Sequence, residues 1–442
     1  MTVRGRCPNT AKCCSCTEKS RRRIFVKVCV IGAGVSGCCA AIQAARSGAE
    51  CLLIEKSGIP GGTLSMGGVS IPGLFHAWNG KQVISGIGWE LVKESVDIAG
   101  GTMPDFNSFD MNYFWHYQVP VNAVVFTALC DSKFKESNVD VRYHTMVGKV
   151  EKLDSGWEVT LCGKDGLYTE KTDFIIDCTG DADVVKMAGF PVSSPDVCQP
   201  GTYSVRCTGY EVEKVDWDQL RAAFNAAWEK GEIFPEDIGW SKGFSWLFVQ
   251  RKGENANHIH CSNLPGWRNQ MEISGRESLL RACKFLKKQP GFENLDMHYV
   301  GMECGVRESR TIIGETTVSE ADFLAGKNYP DAVCYGFYPV DLHDDKEGII
   351  KTLLQPEIVP TVPRGALIPR ASRGLLAAGR IISSDRMANS GLRIQATCMA
   401  TGQAAGALAA LCCKHNVSAQ ELDNSLLRAE LIKHKAILPP EI

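Results

Sequence analysis

Charge of one sign is what this chain lacks most plainly: 48 lysines and arginines face 50 aspartates and glutamates, for a formal net charge of -2. Nucleic-acid surfaces need a basic face or stripe. The one basic run, Arg21 to Arg23, lies in a short N-terminal stretch and reads as a solvated tail, so nucleic acid is excluded as the expected partner. The sequence also has no run of about 18 apolar residues and no signal-type apolar segment near its start. Neither a membrane span nor secretion is expected, and the cytoplasm is the expected compartment. Internal repeats and low-complexity tracts are missing too.

Cysteine is abundant instead, at 20 residues in 442. Most are scattered singly through apolar stretches such as VCVIGAG, IIDCTG and QATCMA, where a thiol behaves as a small hydrophobe. That pattern points to a reducing compartment. Cys7, Cys13, Cys14 and Cys16 form the exception, with a CxxC spacing that could in principle hold a metal or an iron–sulfur cluster. No second spaced pair accompanies them, so residues 1–23 are expected to be a disordered tail and no metal site is expected. At this length two domains are expected rather than one.

The most informative stretch is IFVKVCVIGAGVSGCCAAIQAARSGAECLLIEK. Its apolar, β-branched opening up to Ile31 reads as a strand buried on both faces of a parallel sheet. Gly32, Gly34 and Gly37 follow as G-x-G-x-x-G, then a run of small helix formers, then a second apolar strand ending at Ile54. The three glycines differ in what they allow. Gly32 permits the tight turn, Gly34 lets the backbone approach a pyrophosphate, and Gly37 lets helix and strand pack closely. The helix N-terminus offers unpaired N–H groups to the phosphates. Glu55, about 20 residues beyond the glycines, stands where a carboxylate accepts from a ribose hydroxyl and repels a 2′-phosphate. The expected cofactor is a dinucleotide other than NADP.

Immediately afterwards comes KSGIPGGTLSMGGVSIPG, a second glycine-rich surface carrying Gly61, Gly62, Gly67 and Gly68. A simple NAD dehydrogenase does not need it, whereas FAD has a long ribityl and isoalloxazine to lay against backbone. FAD is therefore the expected cofactor. With these motifs the chain resembles the FAD-dependent oxidoreductase family related to the fumarate reductase and succinate dehydrogenase flavoproteins and to the heterodisulfide reductase flavoprotein subunit. Further segments carry the resemblance: IIDCTGDADVVKMAGFPV (175–192), GVRESRTIIGE (305–315), YPVDLHD (338–344) and LLAAGRIISSDRMANSGLRIQATCMATGQAAGALAAL (375–411). It implies that Lys56, Gly61, Gly62, Val147, Thr179, Gly180, Asp181, Gly379, Arg380, Gly402 and Gln403 join Gly32, Gly34, Gly37 and Glu55 around the cofactor. The closing segment reads as a buried strand ending near Gly379 and a helix from Thr397 to Leu411, whose N-terminus near Met399 to Ala404 could face the flavin.

The expected fold is α/β: a Rossmann-type FAD-binding domain assembled from separate pieces, 24–197 and 356–442, with an inserted α+β substrate domain at 198–355. Within the first piece, Val139 to Leu161 alternates as short antiparallel strands turning at Ser155-Gly156. The insert accumulates Trp217, Trp228, Trp240, Trp246 and Trp267; WDQLRAAFNAAWEKG reads as a helix, and FSWLFVQ and HIHCSN read as strands. SAQELDNSLLRAELIKH reads as an amphipathic C-terminal helix.

No second G-x-G-x-x-G is present to signal a nicotinamide domain, and the only CxxC precedes the first strand. Electrons are then expected to pass directly between flavin and a small-molecule substrate, with an unidentified electron donor or acceptor at the other end. The resemblance implies Arg307, Arg310, His343 and Arg393 as catalytic groups that hold a carboxylate or move a proton. Arg307 and Arg310 could equally form ion pairs with Glu308 and Glu315, and His343 could be a surface histidine. His76 is a candidate for covalent flavin attachment or a histidine packed between Phe75 and Trp78. His258 and His260, two apart, share one face of the expected strand and could hold a metal only with further ligands. The expected activity is hydride exchange at flavin N5 with a small organic, anionic substrate. The alternative is an electron-transfer subunit of the heterodisulfide reductase type. A homodimer through the tryptophan-rich surface stays open.

Overall fold

The computed structural model of the protein describes residues 26–344 and 346–441. The cysteine-bearing leader lies outside the described residues. Strand β1 (Val26–Ile31) runs parallel to β2 (Cys51–Ile54), with Val28 opposite Cys51 and Ile31 opposite Ile54. Helix α1 (Val35–Arg46) makes the crossover between them. Beyond β2, the sheet continues with β3 (Asp140–Arg142), also parallel. Three residues are too few to show a period, so the sequence did not separate β3 from the antiparallel strands that follow it. Those are β4 (Met146–Lys152), β5 (Trp157–Gly163) and β6 (Gly166–Asp177).

β6 serves two neighbours on one side. Its first half pairs antiparallel with β5, and its second half pairs parallel with the closing strand Leu375–Ala377, while β1 lies along its other edge. The alternation along β1 makes a three-layer arrangement. Val28 and Val30 face the helices, and Cys29 and Ile31 face Trp157, Val159 and Leu161 of β5. Both faces are covered, which is why the strand is apolar throughout.

On the helical face α1 packs against the helix Gln395–His415, which begins before Thr397 and ends in a left-handed residue, Asn416. This helix is long and apolar enough to cross a membrane by composition, but 89% of its apolar window is buried inside the protein, as in the core of a globular fold. Its small residues permit the contact: a Cβ on Gly402 would come 2.1 Å from Ser36 O, and one on Gly406 2.3 Å from Ala40 O. The C-terminal helix is shorter than its amphipathic pattern, Asn424–Lys433, because Asp423 caps it by accepting from Ser425 N.

A second hydrophobic core lies between Cys198 and Val306. It is built on the helices Trp217–Glu229 and Trp267–Leu286 and on the antiparallel pair Val205–Thr208 and Asp296–Tyr299. Side chains from Val318 to Leu354 belong to the first core instead. FSWLFVQ is helical over Leu247–Gln250, and HIHCSN forms isolated bridges from Ile259 to Gly201 and from Ser262 to Val197 in place of a regular strand. Both corrections have one cause: a short apolar run carries no period that tells strand from helix.

Candidate active site

A cavity of about 860 Å³ runs between the glycine turn after β1 and the second core. Gly32 adopts φ 98° beneath Cys178 O, a conformation and a closeness only glycine accommodates. Gly34 caps α1 without any side-chain hydrogen bond, and a Cβ there would meet nothing within 4 Å. Open space beside an uncapped helix N-terminus, with no acidic residue in the first turn, suits an anionic phosphate. Glu55, almost fully buried, accepts from Ala33 N at 2.7 Å and from Ser57 N at 2.8 Å. Its carboxylate is thereby held rigidly in the wall, with lone pairs left for a ribose hydroxyl.

Gly62, Lys56, Val147, Thr179, Gly180, Asp181 and Arg380 also line the cavity. Thr179 is pinned by its hydroxyl to Asp177 at 2.7 Å, and Asp181 by Arg380 at 2.9 Å and Ser309 at 2.7 Å. Five expected cofactor residues stand behind the wall instead. Gly37 gives way to Gly32 O, which a Cβ would approach to 1.8 Å. Gly61 donates to Ala33 O at 2.7 Å, and Gly379 donates to Thr401 Oγ1 at 3.1 Å. Gly402 serves the helix crossing, and Gln403 is a buried tie between Ile87 N and Gln43. The helix N-terminus that reaches the cavity belongs to Ile394 and Gln395, whereas Met399 to Ala404 lie in its interior, one turn and more further on.

Of the four expected catalytic residues, Arg307, His343 and Arg393 meet in the wall, and Arg310 does not. Arg310 is paired with Asp183, while Glu308 pairs with Arg386 at 3.1 Å and Glu315 accepts from Ala371 N. Arg307 donates to Pro200 O at 2.7 Å and to Asn255 Oδ1 at 2.9 Å, and faces no carboxylate within ion-pair distance among the described residues. Arg251 joins it, likewise without an ion pair among those residues, and the guanidinium groups of Arg251 and Arg307 lie over the Trp240 ring at 5.5 and 5.8 Å. Arg393 donates to Asp341 O at 3.0 Å and Gln199 Oε1 at 3.2 Å and leaves its buried Nε without a partner.

Burial, and then the charge of Arg393, brings the Arg307 guanidinium down to about 9. Burial, and then Arg307, pushes the His343 imidazole down to about 3, although Asp341 acts the other way. Burial opposes ionisation of Asp341 itself, but the neighbouring His343 ring and the nearby arginines together hold the carboxyl below the usual range. Three guanidinium groups against one carboxylate leave this part of the wall with an excess of positive charge. No local pattern in the sequence marks Arg251 or Trp240 as members of the site, whereas Tyr338 opens the YPVDLHD segment.

His76 does not reach the cavity. It stacks on Phe106 with centroids 3.7 Å apart and lies against Trp89, and burial brings its imidazole down to about 4. His260 is exposed whereas His258 is buried. No grouping of three His, Cys, Asp or Glu side chains able to hold a metal occurs among the described residues, and no disulfide joins the sixteen described cysteines.

The family model described as FAD dependent oxidoreductase matches residues 27–431. The chain belongs to this family. It is accordingly an enzyme with FAD as its cofactor, and the glycine turn, the uncapped helix and Glu55 are the parts that fit that group. The relation to the fumarate reductase and heterodisulfide reductase flavoproteins rests on the sequence motifs alone, and no likeness favours the electron-transfer alternative. No curated protein matches the chain. Among solved structures, OxyS anhydrotetracycline hydroxylase from Streptomyces rimosus is similar at 14% identity and TM-score 0.38, covering 92% of this chain and 66% of its own. A geranylgeranyl bacteriochlorophyll reductase-like protein from Thermoplasma acidophilum is similar at 12% identity and TM-score 0.40, covering 93% and 84%. CabE, an aromatic hydroxylase from angucycline biosynthesis, is similar at 15% identity and TM-score 0.30 over 42% of this chain; the chain spans only 37% of CabE. Likenesses this distant carry no argument about the reaction.

Proposed function

We propose that this FAD-dependent oxidoreductase acts on a small organic carboxylate, gripped by Arg251, Arg307 and Arg393 and oriented toward the flavin. The observation that carries this reading is the buried guanidinium of Arg307 beside the half-buried one of Arg251, neither with an ion-pair partner among the described residues, in the same cavity as the glycine turn. A buried cation left unpaired is costly, and an anionic substrate would offset that cost. FAD, when bound, supplies the two-electron chemistry through hydride exchange at N5. The chain's own residues would do the rest. The arginines fix the carboxylate through paired hydrogen bonds, Tyr338 and Trp240 exclude water, and His343 gives or takes a proton. The inserted domain would thus supply part of the substrate wall, and the second electron partner would meet the flavin after the substrate leaves.

Anaerobic mixing of the FAD-loaded enzyme with a panel of carboxylate-bearing donors tests this, with flavin bleaching as the readout. Bleaching by an acid and not by its neutral amide supports the reading. Equal bleaching by both overturns it.

A further inference from the structure

Behind His343 lies a second buried imidazole that the proposed reaction has not yet used. His258 Nε2 is 2.8 Å from His343 Nδ1, with the two rings inclined at 68°. Trp240 closes over both, its ring centroid 5.0 Å from that of His343 and 6.2 Å from that of His258. At 2.8 Å a single proton lies between the nitrogens, so one ring donates and the other accepts. The other nitrogen of His343, Nε2, is 3.6 Å from Asp341 Oδ2. That is too long for a hydrogen bond, yet close enough for the carboxylate to favour a proton on Nε2. Nδ1 is then bare and accepts from His258 Nε2–H.

The surroundings keep both rings neutral. His343 is faced by Asp341 on its own strand, by Arg307 and Arg393, by Gln199, whose Oε1 accepts the His343 backbone N–H at 3.2 Å, and by Trp240. His258 is faced by Arg307, His343 and Trp240, and its imidazole is held far below the usual range by burial first and Arg307 second. A neutral imidazole that gives up its only N–H without replacement becomes an anion, and that is what a lone His343 would have to do.

We propose that His258 is a positioning residue for proton transfer in the cavity, holding His343 as its Nε2–H tautomer and refilling Nδ1 as Nε2 releases its proton. The statement rests on the carboxylate-oxidoreductase reading above. The balance is complete: the N–H bond at His343 Nε2 breaks toward the substrate, one forms at His343 Nδ1 as the His258 Nε2–H bond breaks, and water restores a proton to His258 at Nδ1. His258 retains 7% of its surface accessible.

Two variants of the full-length, FAD-loaded enzyme separate this role from simple packing. His258→Gln keeps a donor for Nδ1 but cannot take a proton in exchange for the one it gives. His258→Phe fills the space and leaves Nδ1 unpaired. Long-range proton–nitrogen spectra of protein with ¹⁵N-labelled histidine should show His343 as one Nε2–H tautomer in the native protein and in His258→Gln, and as a mixture in His258→Phe. With a carboxylate acceptor that reoxidises the photoreduced native enzyme, His258→Gln should lower the saturating reoxidation rate at least tenfold and leave the half-saturating concentration unchanged. A native His343 protonated at Nδ1, a tautomer indifferent to His258→Phe, or reoxidation at the native rate in His258→Gln each overturns the proposal. Should no carboxylate bleach or reoxidise the flavin of the native enzyme, the substrate reading fails, and the nitrogen spectra still decide the tautomer.

Discussion

An added methyl group has opposite consequences at Gly34 and Gly37. Gly34 has an ordinary φ of −62° and open space around its absent Cβ, whereas a Cβ on Gly37 would lie 1.8 Å from Gly32 O. Gly34→Ala should therefore leave the cofactor-free protein within about 0.5 kcal/mol of native stability while lowering the flavin-to-protein ratio after purification. Gly37→Ala should cost about 1–3 kcal/mol or more through overpacking, read as a lower urea midpoint of the cofactor-free protein. Retained flavin in Gly34→Ala would mean that the phosphates do not approach this turn. At the other part of the wall, Arg307 sits near 9 because burial, and then Arg393, disfavour its charge. An ordinary arginine stays charged throughout. Carboxylate binding should thus be level across roughly pH 6–8 and weaken by about tenfold per unit once the pH rises well past the guanidinium's own value. The sign is opposite to that of a site controlled by the acid's protonation, which loses affinity as the pH falls. Arg307→Met should remove the alkaline limb and weaken binding by about 1.5–3 kcal/mol. Dissociation constants measured by flavin spectral perturbation across pH decide it.

Between α1 and the helix Gln395–His415, two glycines set the approach, and one of the backbone groups they touch, Ser36, also lines the cavity. Gly406→Ala would press on Ala40, away from the cavity, and Gly402→Ala on Ser36 beside it. Both should destabilise the fold by about 1–3 kcal/mol, but only Gly402→Ala should also weaken FAD retention out of proportion to its stability loss. Equal effects in the two variants would detach the crossing from the site. These elements also mark what sequence alone could convey. β1, the glycine turn, α1, β2 and Glu55 are consecutive, so their period and spacing are written locally, and so is the apolar closing helix. The start of that helix was misplaced because Gln395 and Ala396 carry no cap: Ile394 precedes them without a side-chain hydrogen bond. Arg251 and Trp240 sit in short irregular segments of the insert, and His258 in a stretch with no regular strand. Nothing periodic in those segments announces that they meet Arg307 and His343, which lie about 50 and more positions later in the chain.

The molecule as a whole places its cavity between two cores formed by different parts of the chain. The glycine turn, Glu55 and Thr179 to Asp181 come from the sheet side, while Thr202, Leu247, Arg251 and Arg307 come from the second core or its edge. A ligand that spans the cavity binds only the assembled arrangement, so FAD at about 100 times its dissociation constant should stabilise the protein by about 2.7 kcal/mol. Hydrogen exchange locates where that stabilisation appears. If the phosphates lie at α1 and the reactive end of the cofactor lies toward the arginines, FAD should slow exchange at Gly32 to Ser36 and also in the segment from Leu247 to Asn255, although these belong to different cores. Adding a carboxylate ligand to the FAD-loaded enzyme should extend protection around Arg251 and Arg307 and leave the glycine turn unchanged, because only the arginines hold it. Protection confined to the glycine turn under both conditions would mean that the second core does not close on the bound cofactor, and the substrate would then have to be sought on another face of the sheet.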